Sequence, residues 1–370
     1  MKQILVLGAG VIGLSCAVRL ARAGARVTVL EGEREDWSAH GPAASLAAAG
    51  MLAPIVEALG AAGAHPRLAE LCLASFDLWR TQSAGAQWAD AIRFDGGVVL
   101  VESEDKAASL IARAAALGRE VRRLSRADIE KRCGLKTELA GVFVTDEGVI
   151  DPGRALSALA MEARRFGVRL LFSHDVRDIE PAAGRVISAD GAQFEADVIV
   201  IALGVWADER IAARAPALSM IRPAKGHMAP VEVAGSLSAN IHAPGFYLAR
   251  RSENDVVLGS TMELGVHDRR VDKEKIAGLL AAAERALPGL VRLKPDAFAW
   301  AGVRPMSPDE APLIGPSGAP NVLVASGHSR NGWLLAPITA EIICARVYGE
   351  ALAPLWVAFS PNRFEPNSSP

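Results

Sequence analysis

The 370-residue sequence is poor in the residues that mark several common chemistries. Its four cysteines, Cys16, Cys72, Cys133 and Cys344, form no CxxC pair and have no zinc-ligand spacing. That argues against a disulfide framework or a thiolate metal site. It fits a reducing compartment, where such thiols pack as small core hydrophobes. Charge of one sign is not in excess: the formal net charge is −2, and there is no long basic run to grip a nucleic-acid backbone. Charge or proline breaks the Ala-rich apolar stretches before they reach bilayer length. The N-terminus shows no charged region followed by a cleavage site and enters a strand at once, so a cytoplasmic protein is expected. No Ser-His-Asp pattern, metal cluster or paired-carboxylate motif can be assembled, and the seven histidines are dispersed.

What is present is a large apolar fraction, 51% of residues, in a chain long enough for two domains or for one with an inserted partner. The opening reads as strand 4–7, a glycine turn, helix 14–23 ended by Gly24, and strand 27–30 ended by Glu31. Residues 65–90 read as helical and 96–101 as a strand. Short helices are expected at 104–118 and 126–133, and a hairpin from runs 141–144 and 148–150. Asp151 caps and Pro152 starts a helix reaching Phe166. Strands follow at 168–172, 186–187 and 198–202, and alternating strand signals fill 221–262. A helix spans 271–287, a last strand 321–325 and a last long helix 333–348. Helices and strands thus alternate at both ends, with a strand-rich block between about 220 and 304. The expected class is α/β (α+β): a Rossmann-like dinucleotide-binding domain from 1–85, 146–220 and 305–370, and an inserted, mainly antiparallel β-sheet substrate domain from 86–145 and 221–304.

The glycine triplet Gly8, Gly10 and Gly13 is weak as a bare pattern. Here a strand precedes it, a helix follows it, and an acid ends the second strand. Gly8 permits the tight turn, Gly10 a close approach of pyrophosphate, and Gly13 close helix–strand packing. The helix N-terminus would direct its unpaired N–H groups at the phosphates, and Glu31 would accept from a ribose diol. The motif alone does not separate FAD from NAD.

A second block lies near the C-terminus. Trp300 to Pro305 reads WAGVRP, and Gly327 to Pro337 reads GHSRNGWLLAP. Glycines turn a strand into a long helix there, giving a second anion-favouring helix end. Arg304 and Arg330 are read in turns at the ends of these segments. Each either makes a surface ion pair or grips a carboxylate through two parallel hydrogen bonds.

These segments, with the small-residue run Ala44 to Leu52, Asp151-Pro152, Lys225-Gly226, Tyr247-Leu248 and Gly259-Ser260-Thr261-Met262, resemble the FAD-dependent D-amino acid oxidase superfamily, most closely its glycine oxidases of the ThiO type. The resemblance spans nearly the whole chain. It implies that Val11, Ile12, Glu31 and Gly32 touch the adenosine and pyrophosphate half of FAD. Ala44, Ser45, Ala49, Gly50 and Met51 would lie along the diphosphate and flavin, and the backbone of Val176 would meet the adenine. His328, Ser329, Arg330, Asn331, Gly332, Trp333 and Leu334 would wrap the pyrimidine edge. Arg304 would hold a substrate carboxylate with help from Tyr247, Met262 would line the pocket, and Arg330 would be a second carboxylate contact or a clamp on the flavin loop. Two departures stand out: Ala202-Leu203-Gly204-Val205-Trp206 replaces the more usual Ala-Thr-Gly-Ala-Trp, and Trp333 is bulky where an aliphatic residue is usual.

The implied activity is oxidative deamination of glycine or a related small amino acid. A hydride moves from Cα to flavin N5, and the products are a 2-oxo acid (glyoxylate from glycine), ammonia and hydrogen peroxide, with thiamine biosynthesis as the implied setting. With no cysteine between Cys133 and Cys344, FAD is expected to be noncovalent. A small amino acid or amine, molecular oxygen and a homo-oligomeric assembly are the implied partners. The alternatives left open are a D-amino acid, sarcosine or proline oxidase, a dehydrogenase passing electrons to a quinone, an NAD dehydrogenase, and an idle flavin- or nucleotide-binding module.

Overall fold

The computed structural model describes residues 1–38, 41, 43–58, 64–134, 136–235 and 237–364; the Cys133 side chain lies outside the described part. The opening strand Gln3–Leu7 is buried over its last four residues. Helix Val11–Arg22 turns Leu14, Ala17 and Val18 inward, the spacing of one helical face. Strand Arg26–Leu30 returns parallel to the first, with Ile4 opposite Val27. The turn needs glycine: Gly8 has φ +101°, and a Cβ there would lie 2.6 Å from the Ala202 carbonyl oxygen. Gly13 packs so close to this turn that a Cβ would sit 1.9 Å from the Gly8 oxygen.

Among the described residues this βαβ unit is the centre of a six-stranded sheet. The order is Leu313–Pro316, Val322–Ser326, Val198–Ile201, Gln3–Leu7, Arg26–Leu30 and Arg169–Leu171. All neighbours are parallel except the first pair. Helix Gly332–Tyr348 is buried almost all round, packed on helices Val11–Arg22 and Leu68–Gln82. A small antiparallel sheet, Val176–Glu180, Arg185–Ser188 and Gln193–Glu195, is separate from it.

A larger, mainly antiparallel sheet has its centre in strand Arg222–Val233. Strand Trp300–Met306 pairs with it, placing Arg304 opposite Ala224, Gly302 opposite Gly226 and Trp300 opposite Met228. On its other side Met228 faces Gly259, Gly259 faces Tyr247, and Tyr247 faces His242. Side chains alternate between the faces of a sheet. One face therefore carries Ala229, Leu248 and Leu258, which pack with Ile276, Leu279 and Ala283 of helix Lys273–Ala286. The other face carries Arg304, Met228, Tyr247 and His242, all bordering one cleft.

The expected hairpin does not form. Strand Ala140–Val144 joins Gly97–Val101 and Val121–Leu124 in the large sheet. Strand Gly148–Ile150 pairs instead with Met51–Leu52 and Ile92–Arg93 in a separate small sheet. The intervening residues redirect the chain rather than reverse it, and among them Glu147 is fully buried and hydrogen-bonds to His242. Among the described residues no helix is long and apolar enough to cross a membrane.

Candidate active site

A cleft of about 880 Å³ runs from the glycine turn, along the small-residue run, to the polar face of the large sheet. At its nucleotide end, Glu31 is set by the backbone. Its Oε2 accepts from the Ala9 N–H at 2.7 Å and its Oε1 from the Glu33 N–H at 3.1 Å. Helix Val11–Arg22 has no side-chain cap. The Val11 N–H reaches the Ser45 hydroxyl at 3.0 Å, so the run 44–51 is tied to the helix end. The other first-turn N–H groups, with the positive end of the helix dipole, favour an anion in the cleft. Gly32 and Val176 border the same end, and Trp37 meets Phe172 edge to face at 5.9 Å.

Midway, Gly50 has φ +85°, and a Cβ would lie 1.9 Å from the Ile150 carbonyl oxygen, so only glycine fits. Opposite, the loop 327–331 leads into helix Gly332–Tyr348, which also lacks a side-chain cap. His328 is fully buried. Its Nε2–H donates to the Thr339 hydroxyl at 2.9 Å, since that hydroxyl spends its own proton on the Leu335 carbonyl at 2.8 Å. Burial pushes the imidazole pKa down to about 3, so the ring is neutral.

At the far end Arg304 extends over Gly226. A Cβ on Gly226 would stand 2.1 Å from its Nη1. The guanidinium donates from Nη2 to the Ser260 hydroxyl at 2.8 Å and from Nη1 to the Thr261 carbonyl at 3.2 Å. Among the described residues no carboxylate pairs with it. Desolvation and nearby Arg330 lower its pKa while the Tyr247 hydroxyl opposes them; desolvation is the largest effect. Arginine remains a cation even so, and a buried unpaired cation is costly unless a ligand completes it. Tyr247 leans the same way: its hydroxyl lies 2.3 Å from where a Cβ on Gly259 would be. Both side chains border the same cleft, and glycines in the sheet make the room.

The segment carrying Ser260 and Thr261 is itself held. His227, fully buried, accepts from the Asp272 N–H at Nε2 at 3.0 Å, and its Nδ1 lies 2.9 Å from the Thr261 hydroxyl. Lys225 pairs with Asp268 at 2.7 Å. Desolvation lowers the His227 pKa, so it serves this segment as a neutral ring.

The structure brings nearly all the expected site residues to the cleft wall, with two exceptions. Gly13 packs beneath the turn, and the Leu334 side chain lies in the core beside helix Leu68–Gln82. Arg304 is not in a turn but within strand Trp300–Met306, which is why it projects over a flat glycine floor. Arg330 borders the cleft while pairing with Glu310 at 2.8 Å. Met262 is on the rim, 44% exposed. Trp333 does not simply narrow the site: its indole is buried, and Nε1–H donates to the Ser45 carbonyl at 2.9 Å. Sequence reasoning missed Ser260, Thr261, Arg269 and the pair His242–Glu147, whose Nε2–Oε1 distance is 2.8 Å. The paired glycines Gly226 and Gly259 were the available signal for the first two. Nothing local pointed to the last pair.

Residues 3–346 match the model of the DAO family, FAD dependent oxidoreductase. A glycine oxidase of Bacillus licheniformis is 31% identical over 98% of this chain and 97% of its own. The bifunctional protein ThiO/ThiG of Synechocystis sp. is also 31% identical, over all of this chain but 55% of its own length, so the chain spans about half of that relative. Among solved structures, glycine oxidase from Geobacillus kaustophilus superimposes with a TM-score of 0.85 at 27% identity, covering 98% of this chain and 99% of the other.

Proposed function

Because the chain belongs to the DAO family of FAD-dependent oxidoreductases, we propose that it oxidises glycine or a related small amino acid at the Cα–N bond, using oxygen and yielding a 2-oxo acid, ammonia and hydrogen peroxide. The observation that carries this reading is Arg304: a buried guanidinium with no carboxylate partner among the described residues, converging with Tyr247 on the end of a cofactor-sized cleft. The residues fit FAD. The glycine turn admits a pyrophosphate, Glu31 follows the second strand as a ribose acceptor, and Gly50 lets the middle of the cleft wall pass close against the Ile150 carbonyl. Bound FAD supplies the acceptor for the hydride that leaves Cα.

The chain's own residues bind and orient. Arg304 and Tyr247 hold the substrate carboxylate, which fixes where Cα lies. Ser260 and Thr261 fix the guanidinium, and His227 fixes Thr261. His328 is neutral and committed to Thr339, so it does not take a proton in the reaction. Met262 bounds the substrate end and is positioned to limit side-chain size. The assignments of the other cleft residues to FAD follow their places on the wall.

The division into an FAD-binding part, 1–85, 146–220 and 305–370, and a substrate-binding part, 86–145 and 221–304, is supported by how strands distribute between the two large sheets. A cytoplasmic, homo-oligomeric enzyme acting in thiamine biosynthesis completes the proposal, which size-exclusion chromatography tests for its assembly. The deciding experiment is an anaerobic visible spectrum before and after glycine. Flavin bands near about 370 and 450 nm that bleach with glycine, with peroxide formed on admitting air, support it. Bands that bleach only with sarcosine, proline or a D-amino acid change the substrate. Slow reoxidation by oxygen and fast reoxidation by a quinone dye make it a dehydrogenase.

A further inference from the structure

The run that lines the middle of the cleft has its carbonyl groups held from outside. Trp300 Nε1–H donates to the Ala47 oxygen at 2.8 Å. Arg251 donates from Nη2 to the Ala48 oxygen at 2.7 Å and from Nε to the Ala49 oxygen at 3.1 Å. The Gly50 oxygen accepts from the Ile150 N–H at 2.8 Å. Ala47, Ala48, Ala49 and Gly50 border the cleft, whereas Arg251 does not. The carbonyls therefore turn out of the cleft toward their donors. Arg251 and Trp300 come from the large sheet: Arg251 follows strand Phe246–Arg250, and Trp300 opens strand Trp300–Met306.

Arg251 is an expensive choice for this task. Its side chain is 9% exposed, and the carboxylate it approaches, Asp255, is 4.0 Å away and itself 44% exposed. Its guanidinium stands 5.9 Å from the centroid of the Trp300 ring. A neutral donor such as the indole of Trp300 satisfies one carbonyl. The guanidinium fork satisfies two successive ones and keeps them in one plane, and it retains its charge when buried. Mortar between two sheets would not require a buried cation. A cation behind a segment that faces a redox cofactor has a chemical use: a fixed positive charge stabilises the added electron density of the reduced ring.

We propose that Arg251 is a positioning residue for bound FAD: through the carbonyls of Ala48 and Ala49 it fixes the wall against which the cofactor lies, and its charge favours the reduced cofactor. The inference rests on FAD as cofactor and is independent of which amino acid is oxidised.

The test uses the purified holoenzyme and Arg251→Met and Arg251→Lys variants. FAD release on dilution gives the dissociation constant, dye equilibration gives the midpoint potential, and thermal unfolding follows the fold. Arg251→Met is expected to raise the FAD dissociation constant by about tenfold or more, the loss of charge-assisted hydrogen bonds, and to make the potential more negative. Arg251→Lys keeps the charge and loses the fork. It is expected to loosen FAD with a smaller change in potential. A folded Arg251→Met protein with wild-type dissociation constant and potential overturns the proposal, and so does a drop in melting temperature as the sole change. If Arg251→Met does not fold, Arg251→Lys decides: wild-type FAD affinity in that variant overturns the proposal, and weakened affinity with a nearly preserved potential supports it. A wild-type protein without flavin absorbance after FAD addition would fail on the cofactor itself, a distinguishable result.

Discussion

Arg304 reaches the cleft because residues beside it have no side chain. Gly226 is the clearest case, since its Cβ would overlap the guanidinium at 2.1 Å from Nη1 and 2.5 Å from Nη2. Its φ lies outside the left-handed region, so alanine is compatible with the backbone there. Gly226→Ala is therefore expected to fold, keep FAD and displace Arg304. Carboxylate binding should weaken in the direction seen for Arg304→Ala, where losing the charge-assisted contact costs on the order of 2–4 kcal/mol. Titrating a carboxylate ligand against the flavin spectrum measures both variants. Wild-type affinity in Arg304→Ala removes Arg304 as the anion anchor. His328 gives a pH signature at the same scale. Its pKa is about 3 in the folded protein, against about 6.5 unfolded, so the unfolded chain takes up a proton first as pH falls. The stability tied to a neutral His328 is complete above about pH 6.5 and is lost progressively down to about pH 3, by about 1.4 kcal/mol per pH unit. Denaturant unfolding of wild type and His328→Gln should thus converge by about 2 kcal/mol between about pH 6.5 and 5. A pH-independent gap between them would contradict a buried neutral imidazole.

Helix Gly332–Tyr348 shows how one element borrows its integrity from another. Pro337 lies inside it and has no N–H to give to the Trp333 carbonyl one turn earlier. Helix Leu68–Gln82 repairs the break with two residues on one face. Trp79 Nε1–H donates to the Trp333 carbonyl at 2.9 Å, and the Ser75 hydroxyl donates to the Leu334 carbonyl at 2.6 Å while accepting from the Ile338 N–H at 3.4 Å. Ser75→Ala takes this acceptor from the buried Ile338 N–H and leaves the Leu334 carbonyl with only the Trp79 indole at 3.2 Å, and is expected to cost about 1–3 kcal/mol. Chemical denaturation reads that loss, and a change below about 0.5 kcal/mol would show that the helix closes its own ladder. This element also marks what the sequence could disclose. The strand, long helix and glycine turns were legible because periodicity and turn residues are local signals. The direction of Leu334 was not, since a helix buried on all sides has no polar face to orient it. Nor was the fate of the runs at 141–144 and 148–150: short apolar strands reveal their existence but not their partners. Arg304 was legible as a candidate carboxylate grip beside glycine turns, but Tyr247 was reached only by resemblance, because antiparallel register brings the two together across 57 residues. Glu147 and His242 needed three strands in place before they met.

At the scale of the molecule, the cleft is walled by both large sheets, so its ligands bind the folded chain and not the unfolded one. Anything that binds only the native state stabilises it by mass action, about 2.7 kcal/mol when free ligand is a hundredfold above its dissociation constant. Two increments are therefore expected in thermal unfolding. FAD should raise the melting temperature first, since the site proposed for it is walled by the glycine turn, the run 44–51 and the loop 327–331. A carboxylate ligand that cannot be oxidised should raise it again, if it neutralises the buried charge of Arg304 as proposed. The increments separate by residue. Arg304→Ala should keep the FAD increment and lose the carboxylate one. Glu31→Ala, which removes the acceptor held by the Ala9 N–H, should reduce the FAD increment while leaving the carboxylate one available at saturating FAD. If Arg304→Ala abolishes both, the two ends of the cleft are not independent sites and the carboxylate anchor is part of the cofactor site. Retention of both increments would place the carboxylate elsewhere on the protein.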